Sequence, residues 1–240
     1  MSSLLTSPDA WIGLLTLTVL EIVLGIDNVI FITILAGQVR PDRQSRARRL
    51  GLLGALITRL MLLASIVWLV RLTHPLFTVF GVEISGRSLI LIGGGLFLIG
   101  KATFEIHDKI EEATKPAVTE RVLKSVLAVV LQIMVIDIVF SLDSVITAVG
   151  MVESMWVMVT AILLALGVML AASDRIAAVV DQHPSIKILA LSFLVLIGTN
   201  LVAEGVGQHI PKGYTYFAMA FSFGVEMLNL RVRRPAPVRA

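Results

Sequence analysis

The 240-residue chain contains no cysteine, which excludes disulfide bridges, thiolate metal sites and thiol redox couples. It is also poor in charge: Asp, Glu, Lys and Arg make up 15% of it, where a soluble domain carries roughly a quarter. Long polar stretches are missing too, so no appended soluble catalytic domain is expected. What the chain has instead is apolar, with 57% hydrophobic residues and a mean hydropathy of +0.92. A soluble core of this size cannot bury so many apolar side chains. Lipid must be the solvent for most of the chain, which excludes a cytosolic enzyme and a nucleic-acid-binding domain. The formal charge of +3 and the pI near 9.5 then bear on topology rather than on anionic partners.

About 20 apolar residues cross a bilayer as a helix. Seven such runs stand between charged or turn-forming stretches, at 10–35, 50–70, 88–104, 122–149, 155–172, 186–202 and 214–230. The first has no basic n-region and carries two acids, unlike a cleaved signal peptide. On one side of the alternating spans stand fifteen Lys and Arg residues, at 40, 43, 46, 48, 49, 109, 115, 121, 124, 175, 187, 231, 233, 234 and 239. The other side holds three, Arg71, Arg87 and Lys212. The positive-inside rule therefore puts the N-terminus outside and the C-terminus in the cytoplasm. The arginine-rich loop from Arg40 to Arg49 and the basic tail 231–240 are expected to anchor to anionic lipid.

The first span reads LEIVLGIDNVIFI from Leu20, and the fourth reads IDIVFSLDSVITA from Ile136. At a constant offset of 116, Glu21 meets Asp137, Asp27 meets Asp143 and Asn28 meets Ser144. A displacement of three spans reverses direction in the membrane, so the copies should run antiparallel about a pseudo-two-fold axis in its plane. Ile99, Gly100 and Glu105 more faintly echo Ile197, Gly198 and Glu204. The fold expected is all-α, a single polytopic membrane domain over 1–240. Repeat 1 covers about 10–105, repeat 2 about 122–204, and an additional span about 214–230, followed by the tail.

An ionised carboxylate at mid-bilayer costs at least a few kcal/mol, so the four acids must face the bundle interior. Residues seven apart share a helix face, as Glu21 and Asn28 do, whereas Asp27 lies about 120° round from Glu21. Both could reach one site if the helices break, and a discontinuity is predicted at Gly25 to Asp27 and at Ser141 to Asp143. Glu21, Asp27, Asp137 and Asp143, with the Asn28 amide and the Ser144 hydroxyl, form an all-oxygen set suited to Mn²⁺, Mg²⁺ or Ca²⁺. No histidine lies in mid-span, which weakens zinc, copper and nickel. Crowded carboxylates hold protons that a metal displaces, so proton-coupled exchange follows. A proton-sharing acid cluster that only holds the bundle together is the alternative.

EIVLGIDNVIFI and DIVFSLDSVITAVG, with GGGLFLIGKATFEIH in the third span and PKGYTYFAMAFSFGVE at the seventh, resemble the TerC family of integral membrane proteins. The resemblance covers nearly the whole chain and is to the short YgdQ-like branch, without the CBS domains of some relatives. It implies Mn²⁺ export across the bacterial inner membrane, with Glu21, Asp27, Asp137 and Asp143 as metal ligands. Tellurite resistance, which gives the family its name, would be indirect, since an acidic site suits anions poorly.

Other residues carry two readings each. Arg59, near the middle of the second span, is either the resident counter-ion of the acids or a structural ion pair. Glu226 in the seventh span is either a gate near the site or an interfacial acid beside Arg231. Lys101 and Glu105 share a helix face and suit each other, and the glycines at 93–95 suit close helix packing. The reading as a whole is a secondary transporter of a divalent cation, most simply Mn²⁺, with protons as counter-substrate. The cation is cargo and no cofactor is expected; the lipid bilayer is the constant partner and a homo-oligomer is allowed. Another substrate, Ca²⁺ or an amino acid, and a non-transport membrane assembly factor are the alternatives. No nucleophile and base with suitable spacing points to an enzyme.

Overall fold

The computed structural model describes residues 8–65, 72–79, 81–114, 123–152 and 154–232, and within these leaves out some side chains, Asp27 and Asp143 among them. Among the described residues the chain forms seven α-helices. They are α1 (Pro8–Ala36), α2 (Gln44–Ala64), α3 (Gly86–Thr114), α4 (Val126–Met151), α5 (Met155–Gln182), α6 (Pro184–Gly205) and α7 (Lys212–Val232). Four contain stretches long and apolar enough to cross a membrane: Ala10–Ala36, Gly86–Glu111, Met155–Gln182 and Pro184–Gly205. A shorter apolar stretch, Val126–Leu142, lies in α4. The chain is an all-α membrane helix bundle.

Local chemistry sets the helix ends. Ser125 caps α4 by accepting a hydrogen bond from the Ala128 amide, and Pro184 opens α6 where an amide would have no partner. After α6, Gly207 takes φ 82, while Gln208 N–H bonds to Ala203 O at 2.8 Å and Gly207 N–H to Glu204 O at 3.0 Å. This paired closure needs a left-handed residue, which glycine supplies without strain. Between α2 and α3 the chain forms a hairpin, β1 (Pro75–Val79) against β2 (Val82–Ser85), with Gly81 at φ 80 in the turn. The seven-span reading leaves this hairpin out, because two strands of four or five residues give too short an alternation to register.

Three pairs of helices carry most of the packing: α3 with α6, α1 with α5, and α2 with α4. Gly51 faces Ile133, Gly54 faces Met134 and Arg59 reaches Ser141, so α2 and α4 run parallel. Gly13 faces Val152, just ahead of α5, and Gly25 faces Met169, so α1 and α5 run parallel as well. Gly95 faces Val202 while Gly205 faces Ile92, which makes α3 and α6 antiparallel. Exchanging α1, α2 and α3 for α4, α5 and α6 leaves this set of pairs unchanged. The α3–α6 crossing is itself reciprocal. A Cβ built on Gly95 would lie 2.5 Å from the Gly198 carbonyl oxygen, and one on Gly198 2.8 Å from that of Gly95. Only glycine allows backbones so close.

Two expectations are corrected. Helices α1 and α4 continue unbroken through Gly25 to Asp27 and through Ser141 to Asp143. Gly25 is small because the Met169 side chain occupies the place of a Cβ, and Ser141 bonds to side chains around it. Both small residues make room for a neighbouring helix; neither breaks its own. The arginine-rich segment is also not a loop throughout. Its second half begins α2, where Arg48 is buried and donates to Asp174 of α5 at 2.8 Å, joined by Arg49 at 3.0 Å and Ser45 at 3.2 Å. Arg48 and Arg49 direct donors into the protein, not only toward lipid headgroups. The tail beyond Val232 lies outside the described residues, as do Arg71, Lys115 and Arg121.

Candidate intramembrane charge site

The site is built around Arg59. Gly51 and Gly54 let α2 approach α4 closely, and one to two turns further on Arg59 enters the bundle, where it is 6% exposed. Its Nη1 donates to Glu21 Oε2 of α1. Its Nη2 donates to Asp137 Oδ1 of α4 at 3.1 Å, and its Nε to Ser141 Oγ at 3.0 Å. One guanidinium thus bridges two acids that occupy matching positions in the two motifs, and it uses its fork of donors to do so. Glu21 and Asp137 are buried as deeply, at 4% and 5% exposure.

The two acids are served unequally. Asp137 Oδ2 accepts from the Ser141 hydroxyl at 3.1 Å and from the Thr58 hydroxyl at 3.0 Å, in addition to Arg59 on Oδ1. Since Ser141 Oγ accepts from Arg59, its own proton points to Asp137, which gives a relay from Nε–H through a hydroxyl to the carboxylate. Among the described residues Glu21 has the guanidinium as its hydrogen-bond partner, and Leu17, Leu63, Val145 and Met158 line the small void beside it. With both acids ionised the triad carries one net negative charge. An unpaired charge here would cost several kcal/mol, so the three residues depend on one another.

Beside Arg59 lies a cavity of about 130 Å³. Asn28 and Ser144, the other matched pair, both line it, with Phe140, Asn200, Thr215 and Tyr216. It extends to Glu204, Ile210 and Lys212 at the end of the bundle where α6 turns into α7. The Asn200 amide donates to Thr215 Oγ1 at 2.5 Å across this wall. Thr58, Asn200 and Thr215 are absent from the sequence-derived site. Thr58 adjoins Arg59, and Asn200 lies four residues before Glu204, which is the only signal their positions give.

Of the expected ligands, the structure brings Glu21 and Asp137 together, with Arg59 between them. The side chains of Asp27 and Asp143 lie outside the described residues. On unbroken helices position 27 remains about 120° round from position 21, and position 143 likewise from 137. Among the described residues no three acidic or histidine side chains gather closely enough to hold a metal ion. Glu226 stands 11 residues beyond Thr215 on α7, about 16 Å along the axis, well away from the part of the helix that lines the cavity. Lys101 pairs with Glu105 at 3.1 Å, and Gln38 donates to the same carboxylate.

Residues 6–237 match the family described as the integral membrane protein TerC family. The chain is 52% identical to the UPF0053 inner membrane protein YgdQ of Escherichia coli K12, over 98% of each chain. It is 56% identical to a UPF0053 protein of Haemophilus influenzae, over 96% of this chain and 97% of that one. It is 52% identical to the UPF0053 inner membrane protein YoaE of Escherichia coli K12, of which the match covers 44%. No solved structure matches the chain.

Proposed function

We propose that this chain, which belongs to the TerC family of integral membrane proteins, is a secondary transporter that exports a divalent cation, Mn²⁺ foremost, across the bacterial inner membrane. The observation that carries this reading is the meeting of Glu21 and Asp137, from equivalent places in two duplicated motifs, on one guanidinium beside a polar cavity. A purely structural ion pair needs one acid per arginine. Two acids with one arginine carry one net negative charge, and a divalent ion that takes the arginine's place leaves the two acids neutralised.

In this reading Arg59 is the resident counter-ion. It holds the acids while cargo is absent and withdraws when a cation takes its place, with protons as the exchanged species. Glu21, with fewer donors, is the acid released first. Asp27 and Asp143 complete the oxygen shell at another stage of the cycle, and Asn28 and Ser144 offer neutral oxygens from the cavity wall. The basic residues of the α1–α2 turn and of the helix ends at that side face the cytoplasm, and the two helix triplets form inverted repeats. The inner-membrane location is supported by the names of the Escherichia coli relatives.

Proteoliposomes containing a manganese-quenched dye test the reading. Wild-type protein is expected to take up Mn²⁺ in exchange for protons when the vesicle interior is made acidic, and the folded Asp27→Asn and Asp143→Asn variants to lose that flux. No flux in the wild type, or equal flux in both variants, would leave the acids as a structural cluster instead.

A further inference from the structure

The cavity beside Arg59 is not symmetric between the two ends of the bundle, and that asymmetry carries an assignment. We infer that it is the antechamber through which a divalent cation, taking up water, leaves Glu21 and Asp137, and that it opens at the end bearing the β1–β2 hairpin. The inference rests on the transport reading above for the identity of its occupant.

Four observations support it. The cavity runs without interruption from Arg59, Asn28 and Ser144 at its floor to Ile210 and Lys212 in the α6–α7 connection. That connection lies at the same end as the hairpin, because Arg87 at the start of α3 pairs with Glu204 at the end of α6. Its walls hold neutral polar groups, from Asn28, Ser144, Asn200 and Thr215 on α1, α4, α6 and α7, which can hydrogen-bond the waters around an ion. A dry, fully apolar passage would leave the departing ion without water as it parts from the acids. At the opposite end the described residues carry ties between helices and voids of only about 10–20 Å³: Ser45, Arg48 and Arg49 of α2 converge on Asp174 of α5, and Gln38 ties the end of α1 to Glu105 of α3.

The wall formed by α7 is the slightest part. This helix packs chiefly on α6, and its two buried residues are Thr215 and Met219. By contrast α6 is locked to α3 through the Gly95–Gly198 backbone contact. The hydrogen bond from Asn200 to Thr215 is thus the polar tie that holds the antechamber's outer wall in place.

The absence of native cysteine makes the test direct. Single cysteines at Ser144→Cys, Asn200→Cys and Ile197→Cys are probed in sealed vesicles with a membrane-impermeant methanethiosulfonate added to one face at a time. Thr78→Cys on the hairpin and Asp42→Cys beside α2, both exposed, report which face is which. The expected result is labelling of the cavity positions from the Thr78 face and its complete loss from the Asp42 face. Labelling from the Asp42 face, or from neither while both markers react, would overturn the route. Ile197→Cys removes no hydrogen bond, so it reports even if the polar positions fold poorly. Labelling needs no flux: a wild type that fails to carry Mn²⁺ but shows this pattern loses the transport reading and keeps a one-sided aqueous antechamber.

Discussion

The α2–α4 and α1–α5 interfaces are counterparts under exchange of the two helix triplets, yet they are built from opposite materials. In the first, Ser141 receives Arg59, and Thr58 and Asp137 complete a buried polar network. In the second, Gly25, which matches Ser141 at the same offset of 116, receives the thioether of Met169. Duplicated motifs kept an acid in each copy, but the arginine that answers them is present once. Two equal sites would need two arginines and would neutralise both acids fully. A single guanidinium shared by two carboxylates leaves one unmatched negative charge.

The most severe way to break the comparison is Arg59→Ala, which strands Glu21 and Asp137. Removing one partner of a buried pair costs about 3–5 kcal/mol, and a large loss of melting temperature in detergent, or failure to insert, is expected. Making the two interfaces alike gives the opposite result. Arg59→Met with Glu21→Gln and Asp137→Asn removes every charge, and stability should return to within about 1–2 kcal/mol of wild type, as an apolar replacement of a buried ion set commonly does. If the triple variant melts as low as Arg59→Ala, the network holds the fold by more than charge balance.

The apolar counterpart is sharpened by Gly25→Val, which overpacks against Met169 and should cost about 1–3 kcal/mol. Pairing it with Met169→Ala should recover most of that loss, and thermal melts of the single and double variants measure the coupling. Ser141→Ala deletes the hydroxyl between Arg59 and Asp137 and should cost about 1–3 kcal/mol, the penalty of leaving buried partners short. The smallest effect belongs to the α2–α5 tie at Asp174. Asp174 is about half exposed, so Asp174→Asn should shift stability by roughly 1 kcal/mol or less, with a melting curve near that of wild type.

The helices and the pairing of acids were legible because lipid imposes long apolar runs and makes any buried charge conspicuous. Glu21, Arg59 and Asp137 stand out in the sequence for that reason, and the structure brings them together. Continuity of α1 and α4 was not legible. A glycine beside an acid has the same appearance whether the backbone opens or a methionine from another helix fills the space, and Met169 lies 144 residues away from Gly25. Thr58, Asn200 and Thr215 are single polar residues in apolar helices, and their roles come from neighbours that periodicity does not identify. The beginning of α2 was misjudged for a related reason: arginines suggest solvent, but Asp174 on a distant helix supplies a partner.

The contact between Gly95 and Gly198 makes α3 and α6 a single thick wall of the bundle, whose thickness glycine alone sets. Because each glycine meets the other's carbonyl, no side chain stands between the two backbones to adjust, and a larger residue at either position would push both helices apart at once.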